Sequence, residues 1–403
     1  MDVFVRPLIR PDKETRNMDS MLTLMQIAAL ATAGMCFALL GSVKLPLARK
    51  LEIDEGKVGG LVSVFGFTLI PMVVAAGLLV DLLGKQAVLG GGFLLVILSL
   101  VVLAHSRRYT AALAAVLVLG TGWSALVNVL NVTSPPAFVP AEDLPQRMAY
   151  AMNMGDFIFG MGTFVTPLII VYCAQRFGLI RTLYGFAAVS VIPLSLGLGV
   201  DWEALKVASS ESVAGGLAKL LSDPIVWLCS IAFFFHVPTE ASIATWATTL
   251  MTEKKVSEAR ASALLSVFWL TFMGSRLVTA LTLPEGADTT LVVVMACCSV
   301  AITLGIVFCR GTTLMCILII AAGAVVGPIF PTLIAILLGH VEPSLHGRVV
   351  GIFFCVGGIG WTAIPILIGM YAKRTTVQRG FLIASGSAVL LCTLSIVLAL
   401  RLT

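Results

Sequence analysis

The chain has 403 residues, of which 59% are apolar, 12% are charged and 37 are glycine. Soluble domains carry roughly 25% charged residues, so this composition excludes a soluble enzyme, a disordered chain and a fibrous one. The net charge of +5 is small and scattered, which leaves nucleic acid without support as a partner.

Twelve membrane helices of ~20 residues need ~240 residues, close to what the apolar fraction supplies. Residues 1–19 mix Arg6, Arg10, Lys13 and Arg16 with Asp2, Asp12, Glu14 and Asp19 and read as a polar tail. The first apolar run, 20–43, is longer than the 7–15-residue core of a signal peptide and reads as the first span. Runs without Asp, Glu, Lys, Arg or His follow at 58–80, 86–104, 109–141, 157–175, 182–200, 261–275, 289–309, 311–339, 349–372 and 380–400. The run 224–250 joins them, interrupted by His236 and Glu240. The prediction is an all-α membrane protein of twelve spans with both termini on one face. The run 109–141 holds one helix with an exit at Pro135–Pro136, and 311–339 holds one span.

The chain repeats itself. Leu61-Val-Ser-Val-Phe-Gly-Phe-Thr68 aligns with Leu264-Leu-Ser-Val-Phe-Trp-Leu-Thr271 at an offset of 203, with five of eight positions identical. Gly160, Gly162 and Pro167 align with Gly358, Gly360 and Pro365 at an offset of 198, and Arg147 and Arg348 precede the two sets. Two matches in order at nearly one offset point to duplication. The predicted division is a tail at 1–19, a six-helix bundle at 20–200, a linker at 201–223 and a second bundle at 224–403. The linker carries Asp201, Glu203, Lys206, Ser209, Ser210, Glu211 and Lys219. Parallel repeats of this kind place a binding site between the halves near mid-membrane. The nine cysteines lie in apolar stretches with no C-x-x-C pair, so they read as small hydrophobes, and no metal or cofactor is predicted.

Two acids stand well inside spans, Asp156 and Glu240. An ionised acid at a helix centre costs about 2.5–3.5 kcal/mol on insertion scales. Holding a carboxyl protonated at pH 7 costs about 4 kcal/mol. The costs are comparable, so a carboxyl that gains and loses a proton as its surroundings dry and wet is a coupling site. Asp156 follows Arg147 by nine residues, roughly 14 Å of helix, near the middle of a ~30 Å core. His236 precedes Glu240 by four residues and shares its helix face, so Glu240, Asp156 and His236 are the predicted proton-coupling residues. Pro238 between them is predicted to free a backbone carbonyl. Ser124, Asn128 and Asn131 form one stripe of the fourth span, where helix packing and substrate contact both remain open, and Asn153 lies one turn before Asp156. Trp246, Trp269 and Trp361, with Trp123, offer aromatic faces for a ring. Ser124, Asn128, Asn131, Asn153, Trp246, Trp269 and Trp361 form the candidate substrate-binding set. Arg276 is the main cation near a span interior and reads as a cytoplasmic-edge salt bridge or a snorkelling side chain in preference to a substrate contact.

The turn Gly77-Leu-Leu-Val-Asp81-Leu-Leu-Gly84-Lys85 resembles the major facilitator signature between the second and third helices. Leu82 and Gln86 stand where that family often has basic residues. The resemblance implies a cytoplasmic turn whose aspartate latches the halves near the start of the eleventh helix, with Arg147 or Arg348 as a charged partner. Gly77, Asp81, Gly84, Lys85, Arg147 and Arg348 are thus the candidate gating residues. Phe233-Phe-Phe-His236-Val-Pro238-Thr-Glu240, with Trp246, resembles the seventh helix of the fucose-permease-like branch, with His236 and Pro238 replacing Tyr and Gly. Phe268-Trp269 with Arg276, and Gly327-Pro328-Ile-Phe330-Pro331-Thr332, resemble its eighth and tenth helices. The first and fourth spans lack the acids on which fucose permease relies.

The family resemblance implies two six-helix bundles and a monomeric secondary transporter in the cell (cytoplasmic, inner) membrane, partnered by lipid, protons and a small-molecule substrate. Termini placed in the cytoplasm put eleven of the 26 Lys and Arg residues inside, so this orientation follows the resemblance rather than charge bias. The favoured solute is small, neutral and polar or sugar-like. A proton-driven exporter of the same fold is the alternative, and a membrane sensor or membrane enzyme is the rival of another class. No ATP-binding loop is present, which argues against a primary pump, and His105, His236, His340 and His346 are dispersed, which argues against a membrane enzyme.

Overall fold

The computed structural model describes residues 13–206 and 213–402. Most of the tail, together with Ser209, Ser210 and Glu211 of the linker, lies outside the described residues. The first half contains α1 (Lys13–Ser42), α2 (Lys44–Leu51), α3 (Glu55–Leu83), α4 (Lys85–His105), α5 (Tyr109–Phe138), α6 (Leu144–Phe177) and α7 (Leu179–Gly197). A short α8 (Val213–Ser222) follows in the linker. The second half contains α9 (Pro224–Glu253), α10 (Glu258–Thr282), α11 (Asp288–Phe308), α12 (Thr312–Val326), α13 (Ile329–His340), α14 (His346–Arg374) and α15 (Val377–Leu402). Among the described residues twelve segments are long and apolar enough to span a bilayer, with α12 and α13 sharing one.

Local chemistry sets the helix ends. Asp54 caps α3 by accepting from the Lys57 N–H at 2.9 Å. Asp223 accepts from the Ile225 N–H at 2.8 Å while Pro224 opens α9, a start that needs no N–H from proline. Gly84 (φ +83°) and Gly178 (φ +82°) each turn one helix directly into the next, a left-handed conformation that glycine adopts without steric cost.

The halves repeat in packing as well as in sequence. In the first, α1 lies along α6, α3 along α5, and α4 along both α5 and α7; in the second, α9 lies along α14, α10 along α12, and α11 along α12 and α15. One contact is repeated residue for residue. A Cβ at Gly120 would meet the Thr68 side chain and the Phe65 carbonyl; one at Gly323 would meet Thr271 and the Phe268 carbonyl. All three pairs are 203 residues apart. With no hydrophobic drive between helices in lipid, close approach at small residues supplies the packing.

Two spans differ from expectation. Helix α5 runs through Pro135 and Pro136 to Phe138 instead of ending there. Prolines in a last turn remove two intrahelical bonds, and α1 holds this end of α5 from outside: Thr23 donates to the Ala137 carbonyl at 2.6 Å, and Gln26 donates to the Leu130 carbonyl and the Ser134 hydroxyl at 2.8 Å. The tenth span, expected as one helix, is broken into α12 and α13 at Gly327–Pro328. Pro328 cannot bond the Ala324 carbonyl, and Pro331 cannot bond that of Gly327.

Candidate functional site

The halves meet most closely at the end of the molecule that carries the termini. There α3 crosses α14 so tightly that a Cβ on Gly77 would lie 2.3 Å from the Gly347 carbonyl oxygen. Arg348, buried on α14, donates from Nε to the Asp81 carboxylate of α3. Of the two arginines considered as partners for Asp81, the structure brings Arg348. Arg147 is 40% exposed at a kink in α6, lies 3.9 Å from Asp143 and stacks its guanidinium 4.6 Å from the Tyr150 ring centre. Lys85 donates to the Leu205 carbonyl at 2.7 Å and so fastens the linker to the turn at Gly84.

The polar stripe of α5 divides by depth. Asn128 is fully buried and donates across the seam to the Gly347 carbonyl at 2.8 Å, with the Val73 carbonyl at 3.3 Å. One amide therefore joins α5, α3 and α14. Ser124 and Asn131 donate within their own helix, to Gly120 at 2.7 Å and Val127 at 2.8 Å. Asn153 of α6 reaches Thr332 of α13 at 3.1 Å, another tie between halves.

Farther from the termini a charged cluster sits between the bundles. Arg276 of α10 is only 7% exposed, which corrects the expectation of a membrane-edge arginine. Helix α10 continues to Thr282, so the guanidinium lies a turn and a half inside. Its Nη1 stands 3.6 Å from Asp156 Oδ2 and donates to the Asp156 carbonyl at 3.4 Å. Its Nε donates to the Gly327 carbonyl at 2.9 Å, the acceptor that Pro331 leaves free. Phe272 covers the guanidinium at 4.3 Å. On α9, His236 Nε2 is 3.9 Å from Glu240 Oε2, too far for a hydrogen bond. His236 is fully buried, and neither ring nitrogen has a hydrogen-bond partner. Arg276 lies within electrostatic reach of Glu240 and His236, and Asp156 within reach of Glu240. The three predicted coupling residues thus belong to one group, centred on an arginine that sequence reasoning had set aside.

Helix α9 passes through Pro238 without a break. The carbonyl that this proline frees, that of Phe234, faces Gly360 of α14, where a Cβ would lie 2.5 Å from it. In the other half Gly162 meets the Ala31 carbonyl at 2.0 Å by the same measure. The tryptophans are scattered. Trp123 is buried and donates to the Ala33 carbonyl at 3.0 Å. Trp269 packs edge-on against Phe268 and Phe272. Trp246 lies against Gly369 with its indole nitrogen unpaired, and Trp361 is exposed. Phe233 stacks on Phe353 at 4.4 Å beside Phe330 and Phe354, an aromatic layer that joins α9, α13 and α14. Gln26 was not singled out from sequence; a lone glutamine in the first span was the available signal. Among the described residues no group of three His, Cys, Asp or Glu side chains converges as a metal site.

Two bundles of six spans, closed at one end around a buried ion pair, define the architecture of an alternating-access transporter. Residues 26–298 match the family model of the Major Facilitator Superfamily, and the chain belongs to that superfamily. It is therefore a multi-pass membrane transporter and not an enzyme. Its fold is similar to that of FucP, a major facilitator transporter crystallised in the outward conformation. The TM-score is 0.79 at 15% identity, covering 94% of this chain and 99% of that one. It is also similar to the human organic anion transporter MFSD10 (TM-score 0.73, 16% identity, 95% and 100% covered). The proton:xylose symporter XylE is another neighbour (TM-score 0.74, 11% identity, 94% and 95% covered). A curated Saccharomyces cerevisiae relative, Bypass of stop codon protein 6, is 23% identical over 180 residues, 42% of this chain and 36% of the yeast protein's length.

Proposed function

We propose that the protein is a proton-coupled secondary transporter that moves a small neutral polar or sugar-like solute by rocking two bodies, residues 20–200 and 224–403, about a shared mid-membrane site. The observation that carries this reading is the charge balance between the halves: Arg276 stands 3.6 Å from the Asp156 carboxylate, while Glu240 stands beside His236 at 3.9 Å. Arg276 balances one carboxylate. The second is uncompensated in a setting where a lone charge is costly, and a proton removes that cost. His236, unpaired beside Glu240, is placed to pass the proton on. Solved neighbours of the same fold support the solute class: one is an E. coli fucose:proton symporter and another a proton:xylose symporter. Asn131, Ser124, Trp246, Trp269 and Trp361 are the proposed solute contacts. Asn128 and Asn153 serve this state as ties between halves.

In this reading the protein works as a monomer in the cell membrane with both termini in the cytoplasm, and the closed end is the cytoplasmic gate. The state described is then outward-facing. The test is accumulation of L-fucose and D-xylose in proteoliposomes with and without a pH gradient. The expectation is gradient-driven uptake that is lost in Glu240→Gln and in Asp156→Asn. Gradient-driven uptake that survives both substitutions rejects the coupling scheme, and net expulsion of solute favours the exporter.

A further inference from the structure

The end of the molecule away from the termini is strongly basic. Fifteen of the 26 Lys and Arg residues fall there, against five acids, Glu52, Asp54, Glu55, Glu253 and Glu258, for a net charge of +10. The remainder of the chain sums to −5. A field of this size draws negative charge to the face that carries it. At one corner of the first half the basic side chains border a cleft of about 460 Å³. Lys50 of α2, the turn at Phe177–Leu179, and Ile180 and Arg181 of α7 line it. Lys50 Nζ donates to the Leu103 and Ala104 carbonyls at the end of α4, at 2.9 and 2.7 Å, which leaves the third of its N–H donors for a ligand. Arg181 is exposed, and neither cation forms an ion pair among the described residues. Between the two cations the lining is apolar. Beside it, on the spanning parts of α6 and α7, Val171, Tyr172 and Tyr184 are exposed, where side chains meet lipid tails. A second cleft, of about 470 Å³ and bordered by Arg107 and Arg108, joins this corner through His105, whose Nε2 stands 3.4 Å from the Tyr184 hydroxyl.

We propose that this corner is a binding site for an anionic phospholipid, with the phosphate between Lys50 and Arg181 and the acyl chains along the exposed apolar band of α6 and α7. Charge selects the head group, since the cleft presents two cations and no carboxylate. The apolar lining selects an amphiphile over a free anion. A bare phosphate would give up water against Phe177, Leu179 and Ile180 with no polar partner in return, whereas a lipid places its glycerol and first methylenes there. The exposed tyrosines and valine continue that surface toward the membrane interior. None of these residues is among the proposed solute or coupling groups, so the site is independent of which solute is carried.

The experiment needs no solute. Full-length protein in detergent is titrated with dioleoyl phosphatidylglycerol or dioleoyl phosphatidylcholine, and bound lipid is counted by native mass spectrometry. The first phosphatidylglycerol is expected to bind about 25-fold more tightly than phosphatidylcholine, at about five-fold for each cation. Arg181→Gln weakens phosphatidylglycerol about five-fold and leaves phosphatidylcholine unchanged, and Lys50→Gln/Arg181→Gln removes the preference. Arg181 makes no hydrogen bond or ion pair among the described residues, so its single variant serves if the double variant does not fold. Arg310→Gln/Arg379→Gln, which removes two exposed cations at the same end of the second half, is expected to bind phosphatidylglycerol as the parent does. Inorganic phosphate is expected neither to displace the lipid nor to raise the thermal midpoint. Equal binding of the two lipids, or phosphatidylglycerol binding unchanged in Arg181→Gln, overturns the proposal. So does an equal loss in Arg310→Gln/Arg379→Gln, which shows diffuse charge attraction, or displacement by inorganic phosphate, which shows a site for a free anion.

Discussion

Asn128 shows how much a single side chain does at the closed end. Its amide donates to carbonyls on α3 and α14 at once, and hydrogen bonds made away from water are costly to leave unmade. Asn128→Ala is expected to lower the thermal midpoint, with a cost of about 1–3 kcal/mol, and to speed exchange of backbone amides around Gly347. Unchanged exchange there would show that the amide is packing alone. The sequence made the stripe visible but not its partner, because Gly347 lies 219 positions away. Arg276 was misplaced for a related reason. Counting from the last apolar residue sets it at an edge, whereas α10 continues to Thr282. The clue lay elsewhere, in the four-residue spacing of Gly327 and Pro331, which guarantees an open carbonyl.

At the scale of elements, the broken tenth span and the glycine crossings set how closely the helices pack. Pro331→Ala returns an N–H to the Gly327 carbonyl and sets it in competition with Arg276. The expected result is a protein as stable as its parent whose proton-driven uptake falls several-fold, read by comparing thermal midpoint with accumulation. Equal uptake would mean that the Nε contact is incidental. The mirrored crossings allow a graded comparison. Gly120 faces mainly the Thr68 side chain at 2.9 Å, whereas Gly323 faces the Phe268 backbone oxygen at 2.4 Å. A side chain yields more easily than a backbone, so Gly323→Ala should cost more than Gly120→Ala, with overpacking in the range of about 1–3 kcal/mol; thermal unfolding in detergent gives the order. The 203-residue repeat was legible in Leu61–Thr68 and Leu264–Thr271, whose phenylalanine and threonine make matching helix crossings; the glycines opposite them, Gly120 and Gly323, showed only in the fold. The helix break was not legible, since an apolar run looks alike whether one helix or two cross it.

For the whole molecule, the ion pair between Asp81 and Arg348 holds the end at which the halves close. Asp81→Asn leaves Arg348 buried, 4% exposed, without its carboxylate, and breaking one partner of a buried pair costs about 3–5 kcal/mol. The closed state should lose population, seen as increased labelling of cysteines introduced at the seam from the termini side. The class of protein was readable from composition, span count and the turn from Gly77 to Lys85; the solute is not written in any motif, because binding depends on which side chains from distant spans share one space. In the proposed function a proton travels with the solute through Asp156 and Glu240. Its most direct measurement is the internal pH of proteoliposomes, followed with a trapped dye, when L-fucose or D-xylose is added without an imposed gradient. The expected result is acidification inside as solute enters, abolished in Glu240→Gln. Solute entry with no change in internal pH would contradict it.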